Sequence, residues 1–222
     1  MKKITFSSLL IIATLILASC ASTRMGDIDK VEYVNIKTDK DNLNINISYP
    51  EFLDFPKLST AIDKDVAEEW AKMKEEVTDK KREFIVTSEI SSSNEVISVL
   101  LTFHKTIDGE GTETLIRIEN YDTRTGKFLN VLKASGYSLD ELSQLTKDAL
   151  LKPFNSGEIP EGYKDNIDEL KQMIEEGTKP IKENFENFTL KDQYIIIYFA
   201  PGLVSPVSDG IDFVILPLKE DV

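Results

Sequence analysis

Cysteine and histidine are almost missing: the 222 residues contain one of each. A single Cys excludes an internal disulfide, and one Cys with one His cannot assemble a zinc site. Glycine is sparse as well, at ten residues. Gly109-Glu110-Gly111 lacks the third glycine and the strand-before, helix-after context of a nucleotide fingerprint, so it reads as a turn. Positive charge is in deficit. Lys and Arg number 26 against 39 Asp and Glu, a net charge of −13. A chain so acidic lacks the field that holds nucleic acid, and no nucleic-acid partner is expected. Against these absences stands a globular composition, 41% hydrophobic, with aliphatic and aromatic residues recurring throughout.

The longest apolar run opens the chain. Lys2 and Lys3 precede an apolar stretch whose core runs from Leu9 to Ala18 and ends in small residues. That is too short for a comfortable membrane span and has the form of a secretory leader. Leu17-Ala18-Ser19-Cys20 matches the bacterial lipobox, in which cleavage precedes a Cys carrying diacylglycerol. Residues 1–19 are therefore expected to be a leader, Cys20 the lipid (palmitate-bearing) attachment point, and 20–29 a polar tether. Two or three acyl chains anchor a protein stably, whereas one is marginal. The expected location is the cell envelope, outside the cytoplasm, on the periplasmic or exterior side of a membrane.

Further along, periodicity marks the elements. Leu43, Ile45, Ile47 and Tyr49 alternate with Asn42, Asn44, Asn46 and Ser48, a strand with one buried face that Pro50 should end. Ile62, Val66, Trp70, Met73 and Val77 fall on one helical stripe, predicting a helix over 60–81 opened by Thr60 with Asp63. Trp70 on that stripe reads as core. Strands are predicted at 84–91, 96–105 and 112–121, the last two joined as a hairpin by Asp108–Gly111. The turn Asp122–Lys127 should lead into a strand at 128–132. Ser138 with Glu141 forms a capping box for a helix that Pro153 should stop, and a shorter helix over Ile167, Leu170 and Ile174 should end at Gly177. The apolar run Tyr194–Phe199 suits a central strand, and a final strand is expected at 211–216. The fold class is α+β: an antiparallel sheet with helices packed on one side.

Catalytic chemistry finds little support. His104 shares a strand face with Thr102 and Ser98 but has no acid partner there, whereas a triad converges from several elements. Among 39 acids close carboxylate pairs are inevitable, so spacing alone identifies no glycosidase pair. Asp39 and Asp41 begin like a calcium loop, but Asn44 and Pro50 occupy its Gly and terminal Glu positions. No metal or cofactor is expected.

Three blocks stand together: Asn120-Tyr121-Asp122-Thr123-Arg124-Thr125-Gly126-Lys127, Glu186-Asn187-Phe188-Thr189-Leu190, and Tyr198-Phe199-Ala200-Pro201 through Val204-Ser205-Pro206. Their order resembles the extracellular domain family of RsiV-type, lysozyme-sensing anti-sigma factors. The same family accompanies the catalytic domain of PdaC-type peptidoglycan deacetylases. Ile47-Ser48-Tyr49-Pro50 and the following helix resemble its smaller companion domain. The resemblance implies a small α+β subdomain at 30–82, a larger RsiV-like domain at 83–222, and no catalytic domain in this chain. Where the family reads Gly-Gly-Ala-His, this sequence reads Gly109-Glu110-Gly111-Thr112. The expected function is a non-enzymatic envelope lipoprotein that binds a protein, such as a cationic lysozyme-like partner, or a cell-wall glycan. The acidic turn (Asp108, Gly109, Glu110, Glu113) is the candidate contact. The alternatives are a peptidoglycan-modifying enzyme or accessory, and a structural envelope lipoprotein.

Overall fold

A computed structural model of the chain describes residues 30–40, 42–75, 79–157, 163 and 166–219. The leader, Cys20 and the tether lie outside the described residues. β1 (Val31–Lys40) and β2 (Leu43–Phe52) form an antiparallel pair, with Val31 opposite Phe52. β2 therefore runs past Pro50. Helix α1 (Pro56–Glu75) follows, and β3 (Arg82–Ser93), β4 (Val96–Ile107), β5 (Gly111–Asp122) and the short β6 (Lys127–Phe128) complete a six-stranded sheet ordered β1-β2-β3-β4-β5-β6. One pair departs from the antiparallel expectation: β2 and β3 are parallel. Parallel neighbours need a crossover, and α1 supplies it.

The helix starts earlier than its stripe suggests. Pro56 occupies the first helical position, where its missing N–H costs nothing. Thr60 is consequently inside the helix, its hydroxyl donating to the Pro56 carbonyl at 2.8 Å, and is no cap. Leu58, Ile62, Val66 and Met73 are buried against Ile45, Ile47, Phe84, Val99, Leu101 and Phe103, with Trp70 packed at the margin. Val77 lies outside the described residues.

The expected hairpin forms, with longer arms than predicted: Val96 lies opposite Asp122 and Ile107 opposite Gly111. The expected strand at 128–132 is instead a two-residue β6 (Lys127–Phe128) and a short helix α2 (Val131–Ser135). Asn130 caps that helix by accepting from the Lys133 N–H, and Gly136 closes it in the left-handed region. Helix α3 (Leu139–Asn155) has the expected capping box, but Pro153 sits inside it, forfeiting a hydrogen bond without ending the helix. Helix α4 (Ile167–Gly177) ends where expected.

β7 (Phe188–Lys191), β8 (Tyr194–Phe199) and β9 (Asp212–Pro217) form a second, antiparallel sheet with β8 central. Its inner face (Phe188, Leu190, Ile195, Ile197, Phe199, Val214, Leu216) packs on Leu142, Leu170 and Ile174 of the helices. The two apolar cores divide between Tyr121 and Val131, and position 82/83 falls inside the large sheet, where Leu43 pairs with Arg82.

A buried polar rivet joins the sheets. The Ser98 hydroxyl donates to Asn120 Oδ1 at 2.6 Å and accepts from the Leu190 N–H at 2.9 Å, while Asn120 Nδ2 donates to the Phe188 carbonyl at 2.7 Å. β7 has no ladder partner on this side, so these side chains stand in for one.

Candidate binding surface

The acidic turn is less charged than its sequence. Gly109 (φ 79°) and Gly111 (φ 97°) adopt left-handed conformations, which places Glu110 at the tip. There Glu110 meets Lys80 Nζ at 2.6 Å, and Glu113, farther along β5, lies 3.6 Å from Lys105. The Asp108 N–H donates to the Lys81 carbonyl, tying the turn to the chain entering β3. Asp108, Gly109, Glu110 and Glu113 thus share one end of the sheet, with two of the three carboxylates paired to lysines.

His104 is a half-buried strand residue. Its Nδ1 is 3.1 Å from the Thr114 hydroxyl directly across the hairpin. The motif Asn120–Lys127 is turn chemistry: Asp122 Oδ1 accepts from the Arg124 and Thr125 N–H groups, both at 2.9 Å, and Gly126 supplies the positive φ. The Thr125 and Arg124 backbone bonds hold the Asp122 carboxyl below its ordinary range.

Beneath α1 lies a charged cluster that the sequence reading missed. Glu69 is 1% exposed, its Oε2 2.7 Å from Lys105 Nζ and its Oε1 2.7 Å from Lys72 Nζ and 2.8 Å from Arg117 Nη2. Burial pushes its pKa up, but hydrogen bonds from Lys105 and Lys72 and the charges of Lys105 and Arg117 win, holding it at about 2. The signal was available. Ile62, Val66, Glu69 and Met73 fall at steps of 4, 3 and 4, and Lys105 keeps the parity of Leu101 and Phe103. Beside this cluster Glu119 hydrogen-bonds Asp65, and burial together with that second carboxylate raises Glu119 to about 7. Burial also raises Asp65, against the pull of Arg117. Lys105 of β4 and Arg117 of β5 both reach Glu69 of α1, which makes the cluster a fastening of the helix to these strands.

The small sheet presents a different surface. Helices cover its inner face, yet the outer face carries the cross-strand rows Tyr194–Pro217, Ile196–Ile215 and Tyr198–Phe213. Tyr194, Ile215 and Phe213 are 50%, 53% and 58% exposed. Next to them a cleft of about 260 Å³ opens between the sheets, lined by Glu89, Ser92, Leu100, Thr189, Lys191 and Tyr198, among others. The Tyr198 hydroxyl lies 3.4 Å from that of Thr189. An antiparallel sheet with one covered face ordinarily turns polar residues to water; here β8 and β9 turn apolar ones, with Thr189 and Lys191 of β7 beside them.

Comparison with known proteins places this architecture in a class. Residues 131–219 match the model of a family described as protein of unknown function, DUF3298. The fold is that of solved DUF3298 structures. A family protein from Pseudomonas aeruginosa PAO1 superposes with a TM-score of 0.63 over 85% of this chain and 90% of that one, at 12% identity. A second from Bacteroides fragilis NCTC 9343 gives 0.54 over the same shares, also at 12% identity. In both, the match extends well beyond residues 131–219, so the large sheet belongs to the shared fold. Over 177 residues the chain is 26% identical to the peptidoglycan-N-acetylmuramic acid deacetylase PdaC of Bacillus subtilis (strain 168). That alignment covers 76% of this chain but only 36% of the deacetylase. The likeness to anti-sigma factors rests on the sequence motifs alone.

Proposed function

We propose that this chain is a non-enzymatic binding module of the bacterial envelope, held on a membrane by lipid at Cys20 and engaging a cell-wall ligand. The observation that carries the reading is the water-facing apolar surface of β8 and β9 beside a polar cleft. The largest contiguous apolar patch on a protein, typically a few hundred Å², is often a functional surface. The stretch shared with a protein named as a peptidoglycan deacetylase supports a cell-wall setting. Among the described residues no helix is long and apolar enough to cross a membrane, and lipid at Cys20 would supply the attachment. The test is to incubate the detergent-solubilised full chain with purified peptidoglycan. Retention without released acetate or reducing ends is expected; release of either product makes the chain an enzyme and overturns the reading. Incorporation of radiolabelled palmitate, abolished in Cys20→Ala, checks the anchor.

A cationic protein partner such as a lysozyme-like muramidase is a second reading, favoured by the excess of acid. Titration with hen-type lysozyme should then show affinity falling steeply from low to high salt. The pairing of Glu110 with Lys80 and of Glu113 with Lys105 leaves the turn weaker in this role than the net charge suggests.

A further inference from the structure

We infer that the outer face of β8 and β9, together with the adjoining cleft, is the seat of a β-linked amino-sugar glycan strand. This deepens the binding-module reading and rests on it. Tyr198 and Phe213 face each other across the strands with ring centroids 6.3 Å apart at 45°, and Tyr194 stands at the far end of the same face. Residues 194 and 198 are four positions apart, about 13 Å along a strand, which gives a shallow apolar track rather than a point contact. Sugar rings offer a C–H face to such a track and hydroxyl and amide edges to its flank. On that flank the cleft places Glu89, Thr189 and Lys191. Exposed apolar rings beside a few convergent polar groups are what a ligand of this mixed character needs.

Other occupants fit less well. The three exposed side chains Tyr194, Ile215 and Phe213 supply roughly 400 Å² of apolar surface, a narrow track beside the ~800 Å² per partner of a standard protein interface. A second copy would have to approach against the molecule's own net charge of −13. An extended peptide adding to the edge of β9 is obstructed at Pro217, which has no N–H and whose carbonyl already accepts from the Tyr137 hydroxyl at 3.0 Å.

The test uses the full chain in detergent, purified peptidoglycan sacculi, and a soluble β-1,4-linked N-acetylglucosamine oligomer as competitor. The unmodified chain should co-sediment with sacculi and be displaced by the oligomer. Tyr198→Ala combined with Phe213→Ala should weaken retention about tenfold or more, on the scale of losing two stacking rings. Lys57→Gln, on the exposed side of α1, should leave it unchanged. Phe213 is exposed, so Phe213→Ala alone, checked by circular dichroism, keeps the comparison valid if the double variant is unstable. Full retention by a folded variant overturns this inference while leaving the binding-module reading in place. No sedimentation by the unmodified chain overturns both this inference and the cell-wall reading it rests on, and leaves the lysozyme titration to decide the second reading. A dimer in light scattering that Phe213→Ala dissolves assigns the face to a second copy and overturns the glycan.

Discussion

Glu69 is 1% exposed on the helix-covered face of the large sheet, while Phe213 on the outer face of the small sheet is 58% exposed. Each breaks the pattern of apolar inside and polar outside, in opposite directions. The buried carboxylate is answered within the chain by Lys72, Lys105 and Arg117. The exposed ring has Tyr198 beside it and water beyond. A violation resolved internally holds the fold together. One left open to solvent points outward, to a ligand. The difference separates a structural cluster from a candidate site, although ionisable residues are the more usual place to look for function.

The largest expected effect lies at the buried charge. Glu69→Ala strands Lys105, which is 6% exposed, beneath α1 without its main counter-charge. A loss of about 3–5 kcal/mol is expected in urea unfolding. A loss below about 1 kcal/mol would show that the cluster does not fasten the helix. Detaching the two regions is the next largest perturbation. Asn120→Ala removes the partner of both the Ser98 hydroxyl and the Phe188 carbonyl, and should cost about 1–3 kcal/mol. If the sheets then melt in separate calorimetric transitions, the Ser98–Asn120 rivet is what couples them.

Acid titration sharpens the contrast within the charged face itself. Glu119, facing Asp65 and Lys64 of α1, has its folded pKa raised from 4.5 to about 7. Between those values the folded chain holds a proton that the unfolded chain has lost, so its contribution to stability declines as pH rises from about 4.5 to 7. Glu69 has the opposite sign: its contribution is complete above about 4.5 and is lost as pH falls toward 2. Glu119→Gln should flatten the upper limb of the stability-against-pH curve and leave the lower limb in place. An unchanged upper limb would refute the carboxyl pairing. The smallest effect belongs to the outer face. Phe213→Ser should change unfolding free energy by no more than about 1 kcal/mol, the scale of the one cross-strand ring pair with Tyr198 that it removes. A larger loss would make the face part of the fold rather than a binding surface.

Much of the local structure was legible because local physics decides it. The Ser138–Glu141 capping box, the hairpin through Gly109 and Gly111, and the stripe of Ile62, Val66 and Met73 each need only a few neighbouring residues. The errors cluster where prolines act by position. Pro56 starts α1 ahead of the predicted helix, Pro50 lies inside β2, and Pro153 lies inside α3. The candidate turn was located correctly as a turn. Its charge was overstated, because Lys80 and Lys105 reach Glu110 and Glu113 only once β3 and β4 are in place. The outer apolar face was hidden in the run Tyr194–Phe199, since a strand covered on both sides and a strand with one bare apolar face share the same hydropathy.

By itself the amino-acid order determined the acidic balance, the lipobox-like start, the α+β class and the alternation that splits each strand into two faces. Those properties depend on composition or on residues a few positions apart. Tertiary structure alone decided that α1 would bury Glu69 against Lys105, 36 positions away, and that Ser98 and Asn120 would grip β7. It also decided that helices would cover one face of the small sheet and leave Tyr194, Phe213 and Ile215 to solvent. Which of two faces becomes the inside is set by what packs against it, and the packing partners here come from distant parts of the chain.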